Sequence, residues 1–159
     1  MGLRETADLI VDGNLTVGGT VSLGSTANVQ PNAMDHQHVK TYQQSGTAVS
    51  ATAALHECRG TAGIIKSLRA GSIVACIGAA TITIDLQKSS GGGAFATVLS
   101  AVITLNSASP PRVSVAGAIS SSALAQGDVL QIVITATAGG GTLGTGLWVD
   151  LRVDEDYGT

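Results

Sequence analysis

Charge and aromatic side chains are both scarce in this chain of 159 residues: Asp, Glu, Lys and Arg make up 12%, and Phe, Trp and Tyr 3%. An average soluble domain carries charge at roughly a quarter of its positions, so here Ser, Thr, Gly and Ala, or other protein, must cover the surface. That composition suits a subunit packed against neighbours better than a freely diffusing enzyme, and 44% apolar residues are too many for a disordered chain. Basic clusters are missing too. The eight Lys and Arg residues are scattered and the net charge is −3, which excludes phosphate neutralisation and so predicts no nucleic-acid partner. No apolar run reaches the roughly 18 residues of a membrane span. The start MGLRETADL lacks the basic-then-apolar order of a secretory leader. No membrane partner is expected, and assembly in a cytoplasm is. Cysteine is limited to Cys58 and Cys76, with no CxxC and no zinc-type Cys/His spacing. Cys76 lies in the apolar run SIVACIGA and reads as a buried free thiol, with a Cys58–Cys76 disulfide as the open alternative.

Long helical patterns are also absent, whereas strand patterns recur. In DLIVDGNLTVGGTVSLGS, Leu15 and Val17, then Val21 and Leu23, alternate with polar residues around DGN and GG turns. Strands this short cannot bury a core by themselves. From Ser45 on, strand follows strand. In ATITIDLQK, Ile82, Ile84 and Leu86 face one way and Thr81, Thr83, Asp85 and Gln87 the other, and with AFATVLSAVITL beyond the SSGGG turn, residues 80–105 read as one long hairpin. Pro110 and Pro111 mark a loop or edge, because neither can donate to a ladder. The stretch SSSALAQGD reads as a loop or a single helical turn, since Ala and Leu favour helix and Gly127-Asp128 stops it. The closing GLWVDLRVD turns Leu147, Val149, Leu151 and Val153 inward and Trp148, Asp150, Arg152 and Asp154 outward. About eight short strands with Gly/Ser turns predict an all-β fold: a C-terminal antiparallel β-sandwich, jelly-roll-like, over 45–159, preceded by an N-terminal β-arm and stem over 1–44.

The segment MDHQHVKTY interrupts this pattern and holds two of the three histidines. Asp35 is placed to cap a short helix carrying His38 and Tyr42 at i and i+4, ended by QQSG. If the segment is extended instead, His36 and His38 point the same way, and three copies could set six imidazoles round an axis as an octahedral metal site. No cofactor is otherwise called for. Catalytic patterns are missing: the serines sit in turns and on strand faces without a nucleophile elbow, and His56-Glu57-Cys58 in a strand sends neighbours to opposite faces. GGGTLG fits G-x-G-x-x-G in form, but a strand follows where a helix is required, so residues 139–146 read as a mobile turn. No enzymatic activity is expected. The acidic run Asp154, Glu155, Asp156 reads as a solvated tail, with calcium or a basic surface as the alternative.

Pro31, Asp35, His36, Lys40 and Tyr42 together resemble a junction found in fibre proteins of tailed bacteriophages, and DGNLTVGGTVSLGS resembles the short β-repeats that lead into it. TITIDLQKSSGG and the stretch from VAGAIS to LWVDLRV are similar to a small β-domain of virion fibre and head-decoration proteins of these phages. The resemblance implies a homotrimer in which Leu15, Val17, Val21 and Leu23 pair round the axis and Pro31, Asp35, His36, Lys40 and Tyr42 join stem to sandwich. Three copies would also cover edges that one arm leaves open. Tyr42 runs into QQSG where fibre junctions continue YVD, and no long repetitive shaft is present, which favours a compact head-bound trimer over a long fibre. The expectation is therefore a decoration or cement protein that binds the major capsid protein on the virion surface and stabilises the shell, assembled in the host cytoplasm. A receptor- or glycan-binding module of a tail fibre or baseplate is the alternative. For that role Trp148 is the best platform, unless it packs between subunits.

Overall fold

The computed structural model describes residues 36–156. The chain forms β1 (His36–Thr47), β2 (Ala51–Glu57), β3 (Ala62–Val74), β4 (Thr81–Ser89), β5 (Ala96–Thr97), β6 (Leu99–Ala101), β7 (Ile103–Leu105), β8 (Val115–Ala116), β9 (Ala118–Ile119), β10 (Ala123–Ala125), β11 (Val129–Thr137) and β12 (Thr145–Asp156). No helix occurs among the described residues. One sheet runs β1-β12-β3-β10, with β8 also on β3, and the other runs β2-β11-β4-β5, with β7 also on β4, while β6 and β9 form a two-stranded patch.

If β5–β7 count as one interrupted run and β8–β10 as another, the topology follows one rule. The first run pairs with the last (β1 with β12), β2 with β11, β3 with β8 and β10, and β4 with β5 and β7, all antiparallel. That is one long hairpin folded about the turn after β4, and rolling it up adds the pairings β12–β3 and β11–β4. A jelly roll is this rolled hairpin. The all-β sandwich expected from strand spacing is the observed fold.

Period-two alternation builds the interior. Ile82, Ile84 and Leu86 of β4, Leu130, Ile132 and Ile134 of β11, and Leu147, Val149, Leu151 and Val153 of β12 are all buried and meet Ile65, Leu68 and Ala70 of β3 in one core. Every one is aliphatic; Tyr42 is the aromatic that packs against the cluster from its border. A core of β-branched and leucine side chains fits between two pleated faces without large rings, so the low aromatic content is no obstacle to folding. Cys58 and Cys76 are both buried and free.

Three expectations change. The segment from His36 is strand rather than helix: β1 lies along β12 from His36↔Glu155 to Gln44↔Leu147 and shifts register before Thr47↔Thr145. Ladder pairing supplies hydrogen bonds that an isolated short helix cannot match, so tertiary context overrides local capping. The strand also runs through residue 44 without a break. Residues 80–105 do form a hairpin, but Gln87↔Thr97 and Ile84↔Ile103 are out of step because β6 leaves the ladder between them to pair with β9. The stretch SSSALAQGD contains β10, which pairs Ala123–Ala125 with Ala62–Ile64, and then a tight turn in which Asp128 N–H donates to Ala125 C=O at 3.0 Å.

Candidate functional site

Of the residues singled out from sequence, His36, His38, Lys40, Tyr42 and Trp148 lie within the described structure. Leu15, Val17, Val21, Leu23, Pro31 and Asp35 lie outside the described residues. In β1 alternate side chains share a face, so His36, His38, Lys40 and Tyr42 project to the same side, towards β2. Tyr42 is half-buried against the core, and its hydroxyl accepts from Gln44 Nε2 at 3.2 Å. The Gln44 amide in turn donates to Val49 C=O and accepts from Val49 N–H, which clamps the turn into β2. Lys40 is exposed.

Between β1 and β2 the sandwich is open along a seam of about 290 Å³, lined by His38, Lys40, Leu55, His56, Glu57 and Arg59. At its floor Glu155 is only 1% exposed. Its carboxylate meets His56 Nε2 on one oxygen and accepts Gly60 N–H at 2.9 Å and Arg59 N–H at 3.2 Å on the other. His38 Nε2 stands 3.9 Å from the same carboxylate, and its ring lies 5.2 Å from the His56 ring. A buried carboxylate demands such partners, and here they tie β12 to β2 and to the loop after it. The solvated-tail reading of the acidic run therefore fails at Glu155. The signal was present, because the inward count 147, 149, 151, 153 continues to 155. Among the described residues no cluster of three His, Cys, Asp or Glu side chains is arranged to hold a metal.

Cys58 sits behind this pair. Burial first, then the negative charges of Glu155 and Asp128, push its thiol up to about 11, so it stays protonated near neutrality and is a poor nucleophile. Asp128 is also buried. Burial alone would raise its carboxyl, but the Ala125 N–H, the Ser90 hydroxyl and Lys88 together outweigh burial and hold it below the usual range.

Trp148 lies on the outer face of the first sheet, opposite Gln43 of β1 and Gly71 of β3. A Cβ on Gly71 would collide with the indole, so the ring rests on bare backbone. Beside it runs a groove of about 760 Å³, whose walls include Gln43, Ser45, Ile73, Arg112 and Gly146. Arg112 and Ile73, which sequence reasoning did not single out, join Trp148 there because Arg112 N–H donates to Ser72 C=O at 2.8 Å. The GGGTLG segment is pinned rather than mobile: Thr142 and Ile77 exchange backbone hydrogen bonds at 2.9 and 3.0 Å, and strand β12 follows.

No family model matches the chain, and no curated protein matches it either. Among solved structures it is similar to a chain in the structure of infectious bursal disease virus, Gt strain, at 12% identity and a TM-score of 0.34. That likeness covers 91% of this chain, which spans 38% of the length of the viral one.

Proposed function

We propose that the chain is a non-enzymatic structural virion protein, a homotrimer that decorates the outside of a bacteriophage head by binding the major capsid protein. The reading draws on the fibre-junction resemblance. The observation that carries it is the flank formed by β1 and β2. These are the end strands of the two sheets, each with a ladder partner on one side only among the described residues. Next to β2, the outer face of the second sheet presents Thr52, Ala54, Gln131, Val133, Thr135, Thr83 and Gln87, with two charges, Asp85 in β4 and Glu57 at the end of β2 opposite Val129. Its central polar groups bond one another: Thr97 donates to Asp85, Gln87 to Asp85 at 2.9 Å and Gln131 to Gln87 at 3.0 Å. Covering such a surface desolvates few ions, and a neighbouring copy can occupy the open edges.

In this proposal Lys40 and Tyr42 of β1 lie where stem meets sandwich, with Leu15, Val17, Val21 and Leu23 winding round the axis. Three-fold repetition supplies avidity for the lattice. A second reading, a receptor- or glycan-binding module of a tail fibre or baseplate, is favoured by the Trp148 groove alone. Labelling intact particles with an antibody to the chain separates the two. Signal on heads agrees with decoration, signal confined to tails replaces it with adhesion, and unlabelled particles remove the virion assignment.

A further inference from the structure

The Trp148 groove combines three features. The indole is a flat apolar platform seated on Gly71, and among the described residues its N–H has no hydrogen-bond partner. Around it stand polar groups with no side-chain partner among the described residues: the Gln43 amide, the Ser45 hydroxyl and the Arg112 guanidinium. Arg112 also has φ of 62°, the one non-glycine residue in the left-handed region among the described residues. An arginine there carries a backbone cost that glycine would not, and its side chain offsets none of it through a hydrogen bond or ion pair among the described residues.

We propose that this groove binds a carboxylate-bearing sugar, with the pyranose ring on Trp148 and the carboxylate held by Arg112. A pyranose offers a face of C–H groups to an aromatic ring, and its hydroxyls match the Gln43 amide, the Ser45 hydroxyl and the indole N–H. The planar guanidinium pairs with a carboxylate through two parallel hydrogen bonds, which a neutral sugar cannot provide. Ile73, half-exposed on the groove wall, flanks the platform on its apolar side. The inference names a ligand class for the second reading above, yet it holds wherever on a particle the chain sits. Head labelling leaves it standing, and loss of sugar binding leaves head labelling standing.

Trp148 is the single tryptophan of the chain, so intrinsic fluorescence reports on this groove directly. The full-length protein is titrated with trigalacturonate, with neutral maltotriose as control and hexaglutamate as a non-sugar polyanion. Trigalacturonate should give a saturable change in emission, and maltotriose should give none over the same range. Arg112→Gly keeps the left-handed backbone while removing the charge, and should weaken trigalacturonate by about tenfold or more. Gln43→Ala, on an exposed strand position, should weaken it by a smaller factor. The proposal is overturned by no saturable response to trigalacturonate, by an equal response to maltotriose, or by unchanged affinity in Arg112→Gly. Arg112-dependent binding of hexaglutamate without binding of the sugar also overturns it, assigning the groove to an acidic peptide.

Discussion

The two outer faces of the sandwich differ in a way the shared fold does not require. On the β1-β12-β3 face, Lys66, Arg69, Asp150, Arg152 and Asp154 extend along β3 and β12 away from Trp148. Lys66 pairs with Asp154 at 3.4 Å, and Thr41 donates to Asp150 at 2.7 Å. On the β2-β11-β4 face the same strand geometry displays mostly threonine, glutamine, alanine and valine, with Asp85 and the rim residue Glu57 as its charges. Burying ions costs several kcal/mol apiece unless each finds a partner, whereas a sparsely charged face whose polar groups already bond one another is cheap to cover. The difference teaches that the two faces are unequal in charge: five ionisable side chains mark the first, whereas the second carries Asp85 within its hydrogen-bonded polar row and Glu57 at its rim.

The sharpest way to break this comparison is to place charge on the second face. Val133→Lys combined with Thr52→Lys, opposite each other on β11 and β2, should convert a trimer to monomers, while Arg152→Ala on the charged face should leave the mass unchanged. Gel filtration with light scattering reads both. If Arg152→Ala dissociates the assembly and the lysine pair does not, the faces have been assigned the wrong way round.

A large effect within one subunit should come from Glu155→Ala, which leaves His56 and two backbone N–H groups without their acceptor. Urea unfolding should show a loss of about 3–5 kcal/mol. Gly71→Ala should cost about 1–3 kcal/mol and shift the tryptophan emission, because the indole must lift off the sheet. Its counterpart on the second face, Thr83→Ala, should stay within about 0.5 kcal/mol.

The pH response should be smaller and run in two directions. Asp128 is held below the usual carboxylate range in the fold, so its contribution is present above the unfolded value of about 4 and is lost as pH falls through the folded one. Cys58 behaves oppositely. Its thiol is raised to about 11, so stability should fall as pH climbs from the ordinary thiol value of 9.0 towards 11, where only the unfolded thiol ionises readily. Thermal unfolding of wild type against Asp128→Asn and Cys58→Ser checks each limb.

Much of the fold was legible where one side of a strand is buried and the other wet. The alternation in β4 and β12 predicted which residues face the core, down to Trp148 pointing outward. β1 was not legible, because its inward face is carried by the polar residues His38, Tyr42 and Gln44 and so shows no apolar alternation, and His38 and Tyr42 suit i, i+4 as well as one face of a strand. The interruption of β5–β7 hides in the run AFATVLSAVITL, where no glycine or proline marks the breaks. The seam pairs His56 with Glu155 across 99 positions, a distance that local periodicity cannot bridge. The groove was half legible: Trp148 stood out, whereas Arg112 reaches it only through its bond to Ser72 at the end of a proline loop.

The central claim is that copies of this chain cover one another along the sparsely charged outer face of the second sheet, and sedimentation equilibrium of the full-length protein at micromolar concentration tests it most directly. The account predicts about 47 kDa, three chains of 15.8 kDa, with Val133→Lys/Thr52→Lys reduced to one. A wild-type protein that sediments as a stable 15.8 kDa monomer would contradict it.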